Sequence, residues 1–234
     1  MQLFYNPNLN SGASEVVFDK KESGHIIRVL RKVIGDKLLI TNGKGFLFEA
    51  EIINANPNKC KAEIITETYH KSDDFHLHIA VAPTKSNNRF EWFLEKATEL
   101  GIDQITPIIC ERSERRRVKL NRFERVIESA MKQSLQYYLP KLEAPQSFSE
   151  FIKQDLPGDK FIAHCDDDEN VFLHQQLIPK TQVTILIGPE GDFSPTEIQM
   201  AEKAGFKPTN LGNNRLRTET AAIAACHHVY LVNQ

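Results

Sequence analysis

The sequence predicts an α/β protein with a β-rich N-terminal domain and a larger C-terminal domain built on a parallel sheet. The first observation is a change of pattern near residue 71: strand-like runs dominate before it, and strands alternate with amphipathic helices after it. The second is an apolar strand at residues 183–187, followed by a turn that Gly188 and Gly191 bracket and by a helix start at Ser194. The third is another glycine-bearing loop at residues 211–221. A chain of 234 residues has room for two such domains.

Residues 1–70 form the predicted N-terminal domain. Runs rich in β-branched and aromatic residues predict strands at residues 16–18, 37–41, 46–53 and 59–66. Turn-forming residues at positions 42–43 and 54–58 separate these strands, which indicates a meander or a small barrel.

One helix, at residues 23–33, interrupts the predicted strands. Helical spacing places apolar side chains on its buried face, namely Ile26, Val29, Leu30 and Val33. The other face is mainly basic and carries His25, Arg28, Arg31 and Lys32. A solvated charged face is the commoner meaning of this pattern, and a face that contacts phosphate is the alternative.

A short polar stretch at residues 71–74 predicts the linker, and residues 75–234 form the predicted second domain. Strands are expected at residues 77–82, 105–110, 161–165 and 183–187, with a last short strand ending at 210–211. Helices are expected at residues 88–100, 121–137, 147–154, 195–204 and 218–232. This alternation predicts a parallel sheet, in which ligands bind beyond the carboxyl ends of the strands. Because both glycine-bearing loops follow strands, we expect them to form a single pocket.

Composition and motifs exclude several classes of protein. The formal net charge is −2, so no global basic field draws the chain to nucleic acid or membrane. Nucleotide-binding glycine motifs and the Gly-x-Ser-x-Gly elbow are absent, which disfavours dehydrogenases, P-loop NTPases and common hydrolases. Four scattered cysteines without a Cys-x-x-Cys pair argue against a metal site and suit a reducing compartment. With no signal peptide and no long apolar run, a cytoplasmic location is expected.

Basic side chains are concentrated in one stretch, residues 112–125. Only Glu114 and Glu124 oppose its basic residues, which are Arg112, Arg115, Arg116, Arg117, Lys119, Arg122 and Arg125. Arginine binds phosphate with a fork geometry, so polyanion binding is at least as well supported here as a solvated charged loop.

Six stretches in order resemble the RsmE family of small-subunit ribosomal RNA methyltransferases, within the SPOUT superfamily. They are residues 25–31 (HIIRVLR), 95–101 (EKATELG), 111–113 (ERS), 133–134 (QS), 187–191 (IGPEG) and 216–221 (LRTETA). The resemblance runs essentially end to end. It departs from the family pattern at Gln136 and at Asn214, where arginine is usual.

The resemblance implies a PUA-like β-barrel for RNA binding at residues 1–70 and a SPOUT methyltransferase domain with a deep trefoil knot at residues 75–234. It also implies a homodimer, S-adenosylmethionine as methyl donor, no metal, and methylation of N3 of a uridine in 16S rRNA. The substrate would be that rRNA or the assembled small ribosomal subunit.

The resemblance also implies roles for individual residues. The cofactor-binding residues are expected to be His164, Ile187, Gly188, Pro189, Glu190, Gly191, Leu211, Gly212, Leu216, Thr218 and Thr220. The RNA-binding residues are expected to be His25, Arg28, Arg31, Arg112, Arg115, Arg116 and Arg117. The catalytic candidates are Arg217, which would orient the uracil, and Glu219, which could instead serve only to start a helix.

Two other functions stay open at the level of the sequence. A knotted methyltransferase could act on another RNA such as tRNA, since the knot motifs concern the cofactor more than the substrate. A non-catalytic RNA-binding factor for ribosome assembly is the other alternative, although the glycines of both loops argue against a lost cofactor pocket.

Overall fold

The computed structural model describes residues 2–165 and 171–234, and it divides the chain into two compact units. One comprises Met1–Ser72 with Met131–Leu139, and the other comprises Asp73–Ala130 with Pro140–Gln234. The sequence pattern did not single out residues 131–139 as part of the N-terminal unit. Main-chain hydrogen bonds hold them there, from Gly45 N to Tyr137 O at 2.9 Å and from Leu139 N to Gly43 O at 3.0 Å. A Cβ at Gly45, whose φ is +90°, would clash with the Tyr138 hydroxyl, so this close approach requires glycine.

A five-stranded sheet forms the N-terminal unit. Its strands are β1 (Leu3–Tyr5), β2 (Glu15–Val17), β3 (Lys37–Thr41), β4 (Phe46–Asn54) and β5 (Lys61–Tyr69), in the order β1-β3-β4-β5-β2. Strand β1 is parallel to β3, and the other pairs are antiparallel. The four predicted strands are confirmed to within a few residues. Strand β1 escaped prediction because three residues are too short to show an alternating pattern.

The predicted helix at residues 23–33 is wrong in its extent and in its buried face. Helix α1 (Lys20–Gly24) begins at Asp19, whose side chain accepts a hydrogen bond from Glu22 N, and a π-helical turn (His25–Val29) follows. The π-type hydrogen bond from Leu30 N to His25 O rotates the later side chains away from the face that an α-helix would bury. Ile26 is therefore buried, while Val29 and Val33 are 65% and 60% exposed.

The second unit contains a seven-stranded sheet in which every pairing is parallel, which confirms the predicted α/β class. Its strands are β6 (His76–Val81), β7 (Gln104–Ile109), β8 (Lys141–Leu142), β9 (Gln146–Ser147), β10 (Asp159–Ala163), β11 (Gln182–Ile187) and β12 (Lys207–Thr209). The order is β12-β10-β11-β6-β7-β8, with β9 paired to β7. Strands β8 and β9 were not predicted, because two residues carry no periodicity.

Helices pack around this sheet. They are α2 (Asn87–Glu99), α3 (Leu120–Gln133), α4 (Phe148–Phe151), α5 (Leu173–Gln176), α6 (Pro195–Lys203) and α7 (Thr218–Val232). The predicted bounds of α7 are confirmed, whereas α3 ends four residues before the predicted 137. Leu135 has a φ of +56°, which an α-helix cannot contain. A core cluster that includes Phe151, Phe193 and Phe206 covers one face of the sheet.

Strands β10, β11 and β12 are neighbours, so their carboxyl ends meet at one edge of the sheet. His164, Gly188 and Asn210 are the residues that directly follow these strands. Both glycine-bearing loops therefore begin at the same edge. Within residues 2–165 and 171–234, no helix combines the length and apolarity needed to span a membrane.

Candidate functional site

A cavity of about 390 Å³ opens at this edge of the sheet. One wall comes from the loop after β11, with Ile187, Gly188, Pro189, Glu190 and Asp192. The other residues around it are Ala163, Cys165, Arg215, Leu216, Arg217, Thr218 and Ala221. The two glycine-bearing loops thus line one cavity, as the strand pattern predicted.

Two further cavities share lining residues with the first. The smaller, of about 60 Å³, adds His164, Thr209, Asn210, Leu211, Gly212 and Asn214. The larger, of about 470 Å³, is polar and adds Arg112, Gly191 and Asn213. Asn214 and Arg215, where the sequence departs from the family pattern, therefore both lie at the site.

Hydrogen bonds from three directions hold the loop after β11. The buried Thr218 hydroxyl donates to Gly188 O at 3.1 Å, which ties the first turn of α7 to the loop. Glu190 Oε1 accepts from Lys85 N at 2.9 Å, while its other oxygen is buried and makes no hydrogen bond with the residues that the structure describes. Asp192 has a left-handed φ of +62°, and its carboxylate accepts from Cys165 N and from Phe193 N.

Tight packing favours glycine where the loop leaves β11. A Cβ at Gly188 would lie 3.1 Å from two ring atoms of the buried Phe193 and 3.3 Å from Asp192 Oδ1. A side chain at this position would push against the buried Phe193 of the same loop, so the tight packing favours glycine.

The helix after the loop starts at Ser194, as predicted, and it begins with a capping box. Ser194 Oγ accepts from Glu197 N, and Glu197 Oε2 accepts from Ser194 N at 2.9 Å. The second carboxylate oxygen of Glu197 accepts from Glu111 N at 2.8 Å. A single buried glutamate therefore begins α6 and also holds the start of the arginine-rich stretch after β7.

The two catalytic candidates lie at the start of α7. Arg217 precedes the helix and is an exposed side chain that lines the main cavity. Glu219 is buried in the first turn, where its Oε1 lies 3.6 Å from Arg89 Nε on α2. Of the predicted cofactor-binding residues, only Thr220 is outside the lining of these three cavities, and its side chain is exposed.

The predicted RNA-binding residues fall in two places, one in each unit. His25, Arg28 and Arg31 belong to the N-terminal unit, and both arginines are exposed. In the second unit, Arg116 and Arg117 are exposed.

Arg115 differs from its neighbours, since its guanidinium lies over the Phe123 ring with 5.8 Å from Cζ to the ring centroid. Partial burial lowers the pKa of Arg115. The Arg115 side chain therefore packs against Phe123 and does not simply extend into solvent.

Residues at the site that sequence reasoning missed include Lys85, Arg89, Cys165 and Asp192. Cys165 could have been found from its place just after a predicted strand, and Asp192 from the tolerance of aspartate for a left-handed turn. Lys85 and Arg89 precede or begin a helix distant in sequence, and no local signal links them to the loops. Among the residues that the structure describes, no group of three or more His, Cys, Asp or Glu side chains could hold a metal ion.

Two family models match the chain. The RNA methyltransferase domain matches residues 71–230, and the RNA methyltransferase PUA domain matches residues 18–65. Among curated proteins, ribosomal RNA small subunit methyltransferase E from Mesomycoplasma hyopneumoniae is 32% identical over 75% of this chain and 78% of its own length. The protein of the same name from Synechocystis is 28% identical over 86% of this chain and 68% of its own length.

Solved structures give the same result. A "probable rRNA-methyltransferase" from Porphyromonas gingivalis has a TM-score of 0.90 and 38% identity, covering 100% of this chain and 98% of that one. Ribosomal RNA small subunit methyltransferase E from Neisseria gonorrhoeae, solved bound to S-adenosyl methionine, has a TM-score of 0.89 and 27% identity, with the same coverage.

Proposed function

This chain belongs to the RNA methyltransferase family that includes the ribosomal RNA small subunit methyltransferase E proteins, and we propose that it methylates N3 of a uridine in 16S rRNA. The methyl donor in this proposal is S-adenosylmethionine. The observation that carries the proposal is the cavity of about 390 Å³ at the carboxyl ends of β10 and β11, which both glycine-bearing loops line.

The residues of this cavity fit such a cofactor. Its volume of about 390 Å³ lies in the range of small-molecule sites, and Ile187, Leu216 and Ala221 supply apolar surface. The buried Glu190 Oε2 has no hydrogen-bond partner in the described part of the chain, and it can accept a hydrogen bond from an amino or hydroxyl group of a ligand. When bound, the cofactor supplies a methyl group activated by a sulfonium centre.

We assign cofactor binding to the three segments that border the cavities. They contribute His164; Ile187, Gly188, Pro189, Glu190 and Gly191; and Leu211, Gly212, Leu216, Thr218 and Thr220. Thr218 acts in part through the chain itself, because its hydroxyl fixes the Gly188 carbonyl.

The protein's main task in a direct transfer is to position the acceptor. Uridine N3 carries a proton that must leave before or during attack, so negative charge develops on the uracil ring. Arg217 is an exposed cation on the cavity wall, and we propose that it orients the uracil and stabilises that charge. Glu219, buried beside Arg89, joins the start of α7 to α2, and we assign no general base.

We further propose that RNA is held at two basic surfaces, one in the PUA-like unit and one in the arginine-rich stretch. His25, Arg28 and Arg31 would contact phosphates in the first, and exposed side chains such as Arg116 and Arg117 in the second. The family resemblance supports a trefoil knot, a homodimer, a cytoplasmic location and the assembled small subunit as a partner.

Incubation with labelled S-adenosylmethionine and separate RNA substrates tests the proposal. Naked 16S rRNA, small subunits from a strain that lacks the gene, and tRNA would be compared, with nucleoside mass spectrometry as the readout. We expect 3-methyluridine in 16S rRNA. Label only in tRNA would favour a methyltransferase that acts on another RNA. RNA binding without any cofactor binding would favour a non-catalytic assembly factor.

A further inference from the structure

Arg112 contacts the loop after β11, residues 188–194, which we call the cofactor loop. Its Nη1 donates hydrogen bonds to Gly191 O at 2.9 Å and to Phe193 O at 3.2 Å. A Cβ added to Gly191 would lie 3.3 Å from Arg112 Cβ, so the two chain segments are in close contact. One guanidinium therefore donates hydrogen bonds to the main chain on both sides of Asp192.

The chain around Arg112 is itself held firmly. The preceding residue donates from Glu111 N to Glu197 Oε1 at 2.8 Å. The following residue is buried, and Ser113 Oγ accepts from Cys110 N at 3.0 Å while Ser113 N donates to Cys110 O at 3.1 Å. Arg112 thus projects from a tight turn at the end of β7, which gives its guanidinium a fixed base.

The side chain of Asp192 holds the same segment by further hydrogen bonds. Asp192 Oδ1 accepts from Phe193 N at 2.7 Å, and Oδ2 accepts from Cys165 N at 2.9 Å, next to the end of β10. Asp192 adopts its left-handed φ of +62° within this arrangement and lines the main cavity. Such a backbone conformation persists only when its surroundings impose it.

We propose that Arg112 is a positioning residue for the cofactor loop, acting through Gly191 and Phe193, and not primarily an RNA phosphate contact. This inference rests on the proposed function, because the ligand of the cavity is taken to be S-adenosylmethionine. Loss of charge-assisted hydrogen bonds to the loop should weaken cofactor binding by roughly ten- to hundred-fold.

Three variants of the full chain, compared with wild type, separate the two roles of an arginine in this stretch. Calorimetry with S-adenosylmethionine would compare wild type, Arg112→Ala, Arg112→Lys and Arg117→Ala. We expect weak binding for Arg112→Ala, substantial recovery for Arg112→Lys because an ammonium can donate to the same carbonyls, and unchanged binding for Arg117→Ala, whose side chain is exposed. Under turnover, Arg112→Ala should raise the KM for the cofactor and leave the KM for RNA near its wild-type value.

RNA binding across a salt series completes the test. We expect Arg112→Ala to keep the wild-type salt slope, and Arg117→Ala to lower it by about one unit or somewhat less. Wild-type cofactor affinity in Arg112→Ala would overturn the inference, and a flattened salt slope with that affinity would make Arg112 a phosphate contact. If Arg112→Ala does not fold, Arg112→Gln, which keeps a donor without the charge, decides by the same readouts. Wild-type protein that fails to bind the cofactor would overturn the proposed function together with the inference.

Discussion

Acid should destabilise the second unit through one buried histidine. His78 lies within β6 and is 4% exposed, with its Nε2 2.8 Å from Thr106 Oγ1 on β7. Its ring also packs edge-on against Phe151, with 5.5 Å between centroids. Burial, together with the nearby charges of His76 and Lys141, lowers the pKa of His78 from 6.5 to about 4. The imidazole is therefore neutral in the folded protein at neutral pH.

The two pKa values determine the size and sign of the effect. The unfolded chain binds the proton of His78 near its ordinary pKa, whereas the folded chain resists it until the pH approaches 4. Between these values the unfolded state carries more protons, so stability falls as pH falls through 6.5 towards 4. Linkage gives a loss of about 2 kcal/mol in the free energy of unfolding between pH 7.5 and pH 5, and about 3 kcal/mol by pH 4.

Urea unfolding followed by tryptophan fluorescence measures this loss. Trp92 is the only tryptophan of the chain and lies on α2, in the same unit as His78, so its emission reports the unfolding of that unit. His78→Gln is the matched control, because its amide does not titrate and can still reach Thr106. Wild type should lose about 2 kcal/mol more than this variant on going from pH 7.5 to pH 5. Equal losses in the two proteins would refute a neutral buried His78.

Three further predictions concern the site. Thr218→Val removes the hydroxyl that donates to Gly188 O, so the free energy of unfolding in urea should fall by about 1–3 kcal/mol, and cofactor affinity measured by calorimetry should fall with it. Glu197→Ala removes a helix cap and the acceptor for Glu111 N, and its cost should be about 2–4 kcal/mol in the same urea assay, with Glu197→Gln losing less. The Arg116→Ala/Arg117→Ala double variant should flatten the salt dependence of RNA binding by up to about two log-log units while cofactor affinity stays constant; parallel slopes would indicate a merely solvated loop.

Local sequence signals predicted those parts of the fold that local chemistry determines. The bounds of α7 and β3 agree with prediction, and α6 starts after Ser194 as the sequence indicated. Each of these features depends on a few consecutive residues.

Features that depend on distant residues escaped prediction. The π-helical turn at His25–Val29 has the composition of an α-helix, and only its hydrogen bonding reveals why Val29 is exposed. Residues 131–139 join the N-terminal unit through a glycine turn some ninety positions earlier in the chain. Nothing in the helical pattern of α3 indicates that partner.

The site also has parts that neighbouring residues predict and parts that depend on distant residues. Arg112 is an example of the second kind. The cavity-forming loops were predictable because strand, glycine turn and helix cap stand next to one another in the sequence. Arg112 and Arg117 belong to one basic stretch, and charge density alone assigns both to RNA. Both side chains are exposed in the folded chain, but Arg112 also donates to two carbonyl oxygens of the loop after β11. A guanidinium satisfied by carbonyls has fewer donors left for phosphate, so we propose that arginine serves the pocket at one position and a polyanion surface five positions later.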